Sequence, residues 1–187
     1  MQACDAVLVR TMPPGSLEQV VFRMDALGAL AEAGTVVINP PRAVEAAVDK
    51  YLALAKLQSA GLATPRTWVC QSLGDALDGF RELGGDVVVK PVFGGEGRGI
   101  CRVNDESLAW RVFSTLAQLR SVIYLQEYIP HNGFDIRLLV LGERVFAMRR
   151  VNPDDWRTNV SRGARAEPLV PDQRLIETAH RAAAAIG

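Results

Sequence analysis

The chain has 187 residues, 49% of them hydrophobic, with 21 basic and 21 acidic side chains. That is enough apolar material for one or two buried cores and excludes a disordered segment, while zero net charge removes any global electrostatic reason to bind nucleic acid or an anionic membrane, and neither partner is expected. Three widely spaced cysteines, Cys4, Cys70 and Cys101, lack metal-ligand spacing and read as reduced thiols of a cytoplasmic protein, and no run approaches the ~18 apolar residues of a membrane span.

Residues 6–10 form a short apolar strand. Ser16 with Gln19 three residues later is a capping box, and Val20, Met24, Leu27 and Ala31 recur at helical spacing until Gly34 ends the helix. Val36, Val37 and Ile38 make a second strand, closed by Asn39-Pro40-Pro41. These pieces read as a strand-helix-strand fragment of a parallel sheet, too small to stand alone. One helix is expected over residues 42–60, ended by Gly61; Lys50 lies in it, and helical position alone gives it no role beyond a solvated charge. A strand at 66–70 and a helix at 73–83, stopped by Gly84-Gly85, follow.

Val87-Val88-Val89 then reads as a strand covered on both faces, with Lys90 at its end and Pro91 fixing the exit. Gly94, Gly95, Gly97 and Gly99 let the backbone reach positive φ and bring bare N–H groups close to a ligand, an arrangement suited to phosphate oxygens. Residues 100–103 resume an extended run, so the loop joins two strands. A P-loop or dinucleotide fingerprint would instead run into a helix. A glycine-rich flap after a strand-end lysine is a way to cover a nucleotide; a flexible hairpin with an incidental lysine has the same local pattern.

A helix over 106–119 and a strand over 122–129 complete an α+β unit. Residues 134–141 and 144–151 form a hairpin turning at Gly142-Glu143. Between Arg144 and Arg165 the chain holds six arginines and two aspartates, either a solvated basic face or an anion-binding wall. After a polar stretch at 152–163 and an extended piece near Pro168, Pro171 is expected at the first helical position of a last helix whose Leu175, Ile176, Ala179, Ala183 and Ile186 share one face. With no later strand to cover that face, the chain reads as C-terminally truncated.

Asp49-Lys50, the strand-Lys90-flap, residues 125–129, Asp135-Ile136-Arg137, Trp156-Arg157-Thr158-Asn159 and Arg162-Gly163, in this order, resemble the ATP-grasp superfamily and within it the RimK-like alpha-L-glutamate ligases. The opening segment resembles the tetrahydromethanopterin branch of that family. The resemblance implies an α+β ATP-grasp fold, with residues 1–41 a partial preceding α/β domain, 42–124 the first ATP-grasp lobe and 125–187 an incomplete second one. It implies that Lys50 and Lys90 contact ATP phosphates beneath the flap, and that Glu127 and Tyr128 lie where backbone groups meet the adenine edge and a carboxylate takes a ribose hydroxyl. Asp135 matches a second nucleotide contact, Arg157, Thr158 and Asn159 a segment touching the triphosphate, and Arg150 the group facing the transferred phosphoryl.

The implied reaction is ATP-dependent ligation of an acceptor carboxylate, on a small cofactor or a protein C-terminus, to the amine of L-glutamate through an acylphosphate, in a homo-oligomer. The implied Mg2+ would be held by ligands beyond Gly187, none within the chain. Two other readings stay open: a catalytically incomplete nucleotide-binding fragment of the same fold, and a nucleic-acid module using the arginines of 144–165, which has few aromatic residues to stack on bases.

Overall fold

In the computed structural model, which describes residues 4–187, the opening segment folds as a parallel β-α-β fragment. Strand β1 (Ala6–Leu8) pairs in parallel with β2 (Val36–Ile38), and α1 (Leu17–Glu32) connects them. Both halves of the capping box form: Ser16 N–H donates to Gln19 Oε1 at 3.1 Å and Gln19 N–H to Ser16 Oγ at 3.3 Å. The single helix expected over 42–60 is two, α2 (Pro41–Val48) and α3 (Lys50–Ser59). Asp49 breaks it: its backbone is extended, and its carboxylate accepts from the N–H groups of Tyr51 at 2.8 Å and Leu52 at 3.0 Å, so it starts a new helix instead of continuing the old one.

The chain divides into two units. One comprises the chain up to Leu62 with Phe93–Gly95 and Arg181–Gly187; the other comprises Ala63–Val92 and Glu96–His180. The second unit contains an antiparallel four-stranded sheet in the order β3 (Thr67–Cys70), β6 (Ile123–Glu127), β4 (Val87–Lys90), β5 (Cys101–Val103). Helices α4 (Leu73–Glu82) and α5 (Glu106–Gln118) cover one face, capped by Ser72 and Asp105. The core between them is Phe80, Val87, Val89, Phe113, Ile123 and Leu125, with the two phenylalanine rings edge to face at 6.2 Å. Val88 is buried as well, so the three valines are covered on both sides as their sequence requires.

The hairpin β7 (Phe134–Leu141) and β8 (Arg144–Val151) turns at Gly142, φ 58°. The extended piece near Pro168 is a true strand, β9 (Arg165–Leu169), pairing antiparallel with β8 at an edge where the missing proline N–H costs no ladder bond. The last helix, α6, runs over Gln173–Ile186. Pro171 is not its first residue: Asp172 caps it, its carboxylate accepting from Leu175 N–H at 2.8 Å, because a side-chain acceptor at that position satisfies an otherwise orphaned donor. Its apolar face is not bare either. Ala179 is buried and Leu175, Ile176, Ala183 and Ile186 are half-buried; within the first unit, Arg181 donates to the carbonyls of Ala60 at 2.9 Å and Gly61 at 3.2 Å at the end of α3.

Candidate functional site

Side chains alternate along a strand, so with Val87 and Val89 in the core, Val88 and Lys90 face the other side of the sheet. The register sets Arg102 and Gln126 opposite Val88, on that same face. Lys90 Nζ donates to Gln126 Oε1, and the Gln126 amide donates in turn to Thr67 Oγ1 at 3.0 Å. Gln126 is only 9% exposed. A polar residue following three buried apolar ones in β6 is the signal in the sequence that could have singled it out, and sequence reasoning passed it over.

Beyond Lys90, Gly94, Gly97 and Gly99 take φ of 118°, 70° and 68°. Gly95 does not adopt positive φ; Glu96 does, at 59°. In the second unit the loop is tied to residues 159–162: Ser161 Oγ donates to Glu96 O at 2.8 Å, and a Cβ on Gly97 would stand 2.5 Å from Asn159 Oδ1. In the first unit, Lys50 opens α3 and its Nζ donates to Gly94 O at 2.6 Å. Burial draws its pKa below the usual lysine value against the opposing charge of Asp49, so Lys50 is not the freely solvated lysine that its helical position alone implied.

Asp135 on β7 and Arg150 on β8 are register partners, and the guanidinium grips the carboxylate with both Nε, at 2.7 Å, and Nη2. Thr158 Oγ1 donates to Asp135 Oδ2 at 2.7 Å. Burial alone would raise the Asp135 pKa, but the hydrogen bonds from Arg150 and Thr158 outweigh it and hold the carboxyl below its usual range. The loop carrying Thr158 is pinned by buried Asn152, whose amide donates to Arg157 O at 2.8 Å. Asp135, Arg150 and Thr158 are thus brought together. Arg157 is not among them: its side chain is taken by Asp155, at 2.9 and 2.6 Å.

At the exit of β6, both Glu127 oxygens receive Arg66, Oε1 from its backbone N–H at 2.7 Å and Oε2 from Nε at 2.8 Å. These bonds hold the Glu127 carboxyl below its ordinary pKa. Tyr128 N–H donates to Asp86 O at 3.0 Å, and the Arg102 guanidinium lies 3.5 Å from the centre of the Tyr128 ring. Sequence reasoning missed Arg66 and Arg102, which lie far along the chain from the residues they hold. Among the described residues no group of three or more His, Cys, Asp or Glu side chains gathers to hold a metal ion, and Asp135 and Asp155 are each occupied by an arginine.

Solved structures with the same architecture define the class. The ATP-grasp ligase PsnB, complexed with minimal precursor, Mg and ADP, superposes with a TM-score of 0.66 at 28% identity, covering 91% of this chain and 52% of that one. A RimK domain ATP-grasp protein from Sphaerobacter thermophilus gives 0.72 over 89% of this chain and 60% of its own, at 23% identity. The fold is ATP-grasp. Residues 47–187 match the RimK-like ATP-grasp domain, and the chain belongs to that family. It is 36% identical, over 98% of its length, to 60% of the tetrahydromethanopterin:alpha-L-glutamate ligase of Methanosarcina acetivorans. It is 32% identical, over 76% of its length, to 54% of the alpha-aminoadipate–LysW ligase LysX of Sulfolobus acidocaldarius. The chain therefore spans little more than half the length of these relatives. No helix among the described residues is long and apolar enough to cross a membrane.

Proposed function

We propose that this chain binds ATP on the Lys90 face of the four-stranded sheet and belongs to a ligase that joins L-glutamate to an acceptor carboxylate. The observation that carries the reading is the occurrence, within one unit, of a strand-end lysine, a loop with positive φ at Glu96, Gly97 and Gly99, and Asn159 against Gly97. Amide donors in such a loop suit phosphate oxygens, and Lys90 is suited to neutralise them; for Lys50, a phosphate contact is what the family resemblance implies. Asn159 and Thr158 would line the triphosphate beside Arg157, while Glu127, kept ionised by Arg66, and the backbone at Tyr128 would meet ribose and base. Asp135 would add a second nucleotide contact. Arg150, aligned by Asp135, would face the charge that develops on the transferred phosphoryl group.

In the reaction, an acceptor carboxylate oxygen takes the γ-phosphoryl of ATP and ADP leaves. The glutamate amine then attacks the acyl carbon, the C–O bond to phosphate breaks, and amide, phosphate and a proton result. The relatives named for glutamate ligation at tetrahydromethanopterin favour a small cofactor acid as acceptor. The protein's contribution is positioning, charge neutralisation and exclusion of water from the acylphosphate. Calorimetric titration with ATP and ADP tests the binding, and mass spectrometry of an acceptor acid incubated with ATP and glutamate tests the ligation. Saturable nucleotide binding and a product heavier by one glutamyl residue are expected; no nucleotide binding by the folded chain would overturn the reading.

A further inference from the structure

Arg102 lies on the first strand after the glycine loop, and its guanidinium is held in a fork: Nε donates to Asp86 Oδ1 at 2.8 Å and Nη2 to Asp86 Oδ2 at 2.6 Å. The same Asp86 accepts the Tyr128 N–H through its backbone carbonyl, at 3.0 Å. One residue therefore fixes both members of the pair, and the guanidinium carbon lies over the Tyr128 ring, 3.5 Å from its centre. Two further rings close in on Tyr128: Trp156 edge-on and His131 tilted, each with centroids 6.2 Å away. His131 and Trp156 are themselves joined through His131 Nε2 and Trp156 O at 3.0 Å. Trp156 leads directly into residues 157–159. The stack thus links three chain segments that bear on the proposed nucleotide site: the strand leaving the glycine loop, the exit of β6 and the loop carrying Thr158 and Asn159.

We propose that Arg102 is a positioning residue for the nucleotide: gripped by the Asp86 carboxylate and lying over the Tyr128 ring, it fixes the backbone at Glu127-Tyr128 before ligand arrives. This inference rests on the ATP-binding reading above. A rotating tyrosine would let the backbone at the strand exit relax in the free protein, and binding would then have to restore its order. Arginine suits the task because its planar fork meets a carboxylate bidentately while its face stacks on an aromatic ring; lysine can do only part of this.

The test is calorimetric titration of ADP into the folded chain and its variants, with urea unfolding run in parallel. Arg102→Leu should weaken ADP binding roughly twofold to fivefold, the range a partly exposed guanidinium–ring contact commands. Arg102→Lys should fall between it and the wild type. Tyr128→Leu should lose as much as Arg102→Leu. The double variant Arg102→Leu/Tyr128→Leu should bind no worse than either single variant, since each removes the same contact. Equal ADP affinity in Arg102→Leu and wild type, or losses that add in the double variant, would overturn the positioning role while leaving nucleotide binding intact. Wild-type protein that folds but binds no ADP would instead overturn the ATP-binding reading, and this inference with it.

Discussion

Lys90 has two possible duties, and the structure allows them to be separated. Replacing it with methionine removes a charge suited to a phosphate oxygen and also the donor that meets Gln126 Oε1. Gln126 is 9% exposed, so an acceptor left short of a partner there costs about 1–3 kcal/mol of folding stability. Replacing both ends, as Lys90→Met/Gln126→Leu, removes donor and acceptor together and should restore most of that loss. Thr67 Oγ1, the partner of the Gln126 amide, keeps its own bond to Pro65 O at 3.0 Å. Nucleotide affinity should not recover, because the charge is still gone: a charge-assisted bond of about 1.5–3 kcal/mol corresponds to roughly 10-fold to 150-fold in Kd. Urea unfolding measures the first quantity and calorimetric titration with ADP the second. The reasoning is refuted if ADP affinity returns to the wild-type value in the double variant, since Lys90 would then act only through the packing of Gln126.

The folded-state pKa of Asp135 lies below its ordinary 3.8, so between the two values the unfolded chain binds more protons than the native one. The resulting stabilisation is complete above the ordinary value and disappears as pH falls through the folded one; Asp135→Asn should therefore flatten the acid limb of stability followed by urea unfolding. Gly97→Ala meets both a φ of 70° and Asn159 Oδ1 at 2.5 Å, whereas Gly95→Ala meets open space. Amide exchange across residues 94–99 should accelerate and ADP affinity fall in the first variant, while exchange should stay unchanged in the second. In α4, a Cβ on Gly79 would lie 2.4 Å from the Trp68 ring carbons, and overpacking of about 1–3 kcal/mol should exceed the roughly 1 kcal/mol that alanine adds to helix propensity. Gly79→Ala should thus lower the urea midpoint, and adding Trp68→Val should relieve the clash.

Local signals carried the sequence reading furthest. Ser16 with Gln19, the glycines at 34, 61 and 84, the three valines before Lys90 and the turn at Gly142 each depend on neighbours within about four residues, where chain geometry restricts the outcomes. The same range explains two local misreadings: Asp49 and Asp172 offer side-chain acceptors to nearby N–H groups, and that competition split one helix and moved the start of another. The resemblance to a family, not periodicity, pointed to Lys50 and Asp135. Which side chains meet was decided by tertiary structure alone. Asp135 finds Arg150 because the β7–β8 register sets them side by side. Glu127 finds Arg66, and Tyr128 finds Arg102, because β3 and β5 are brought to the exit of β6 from distant points in the chain. Spacing along the chain carries no trace of such partners; strand order and register create them, since a one-residue shift in pairing would turn each of these side chains to the opposite face.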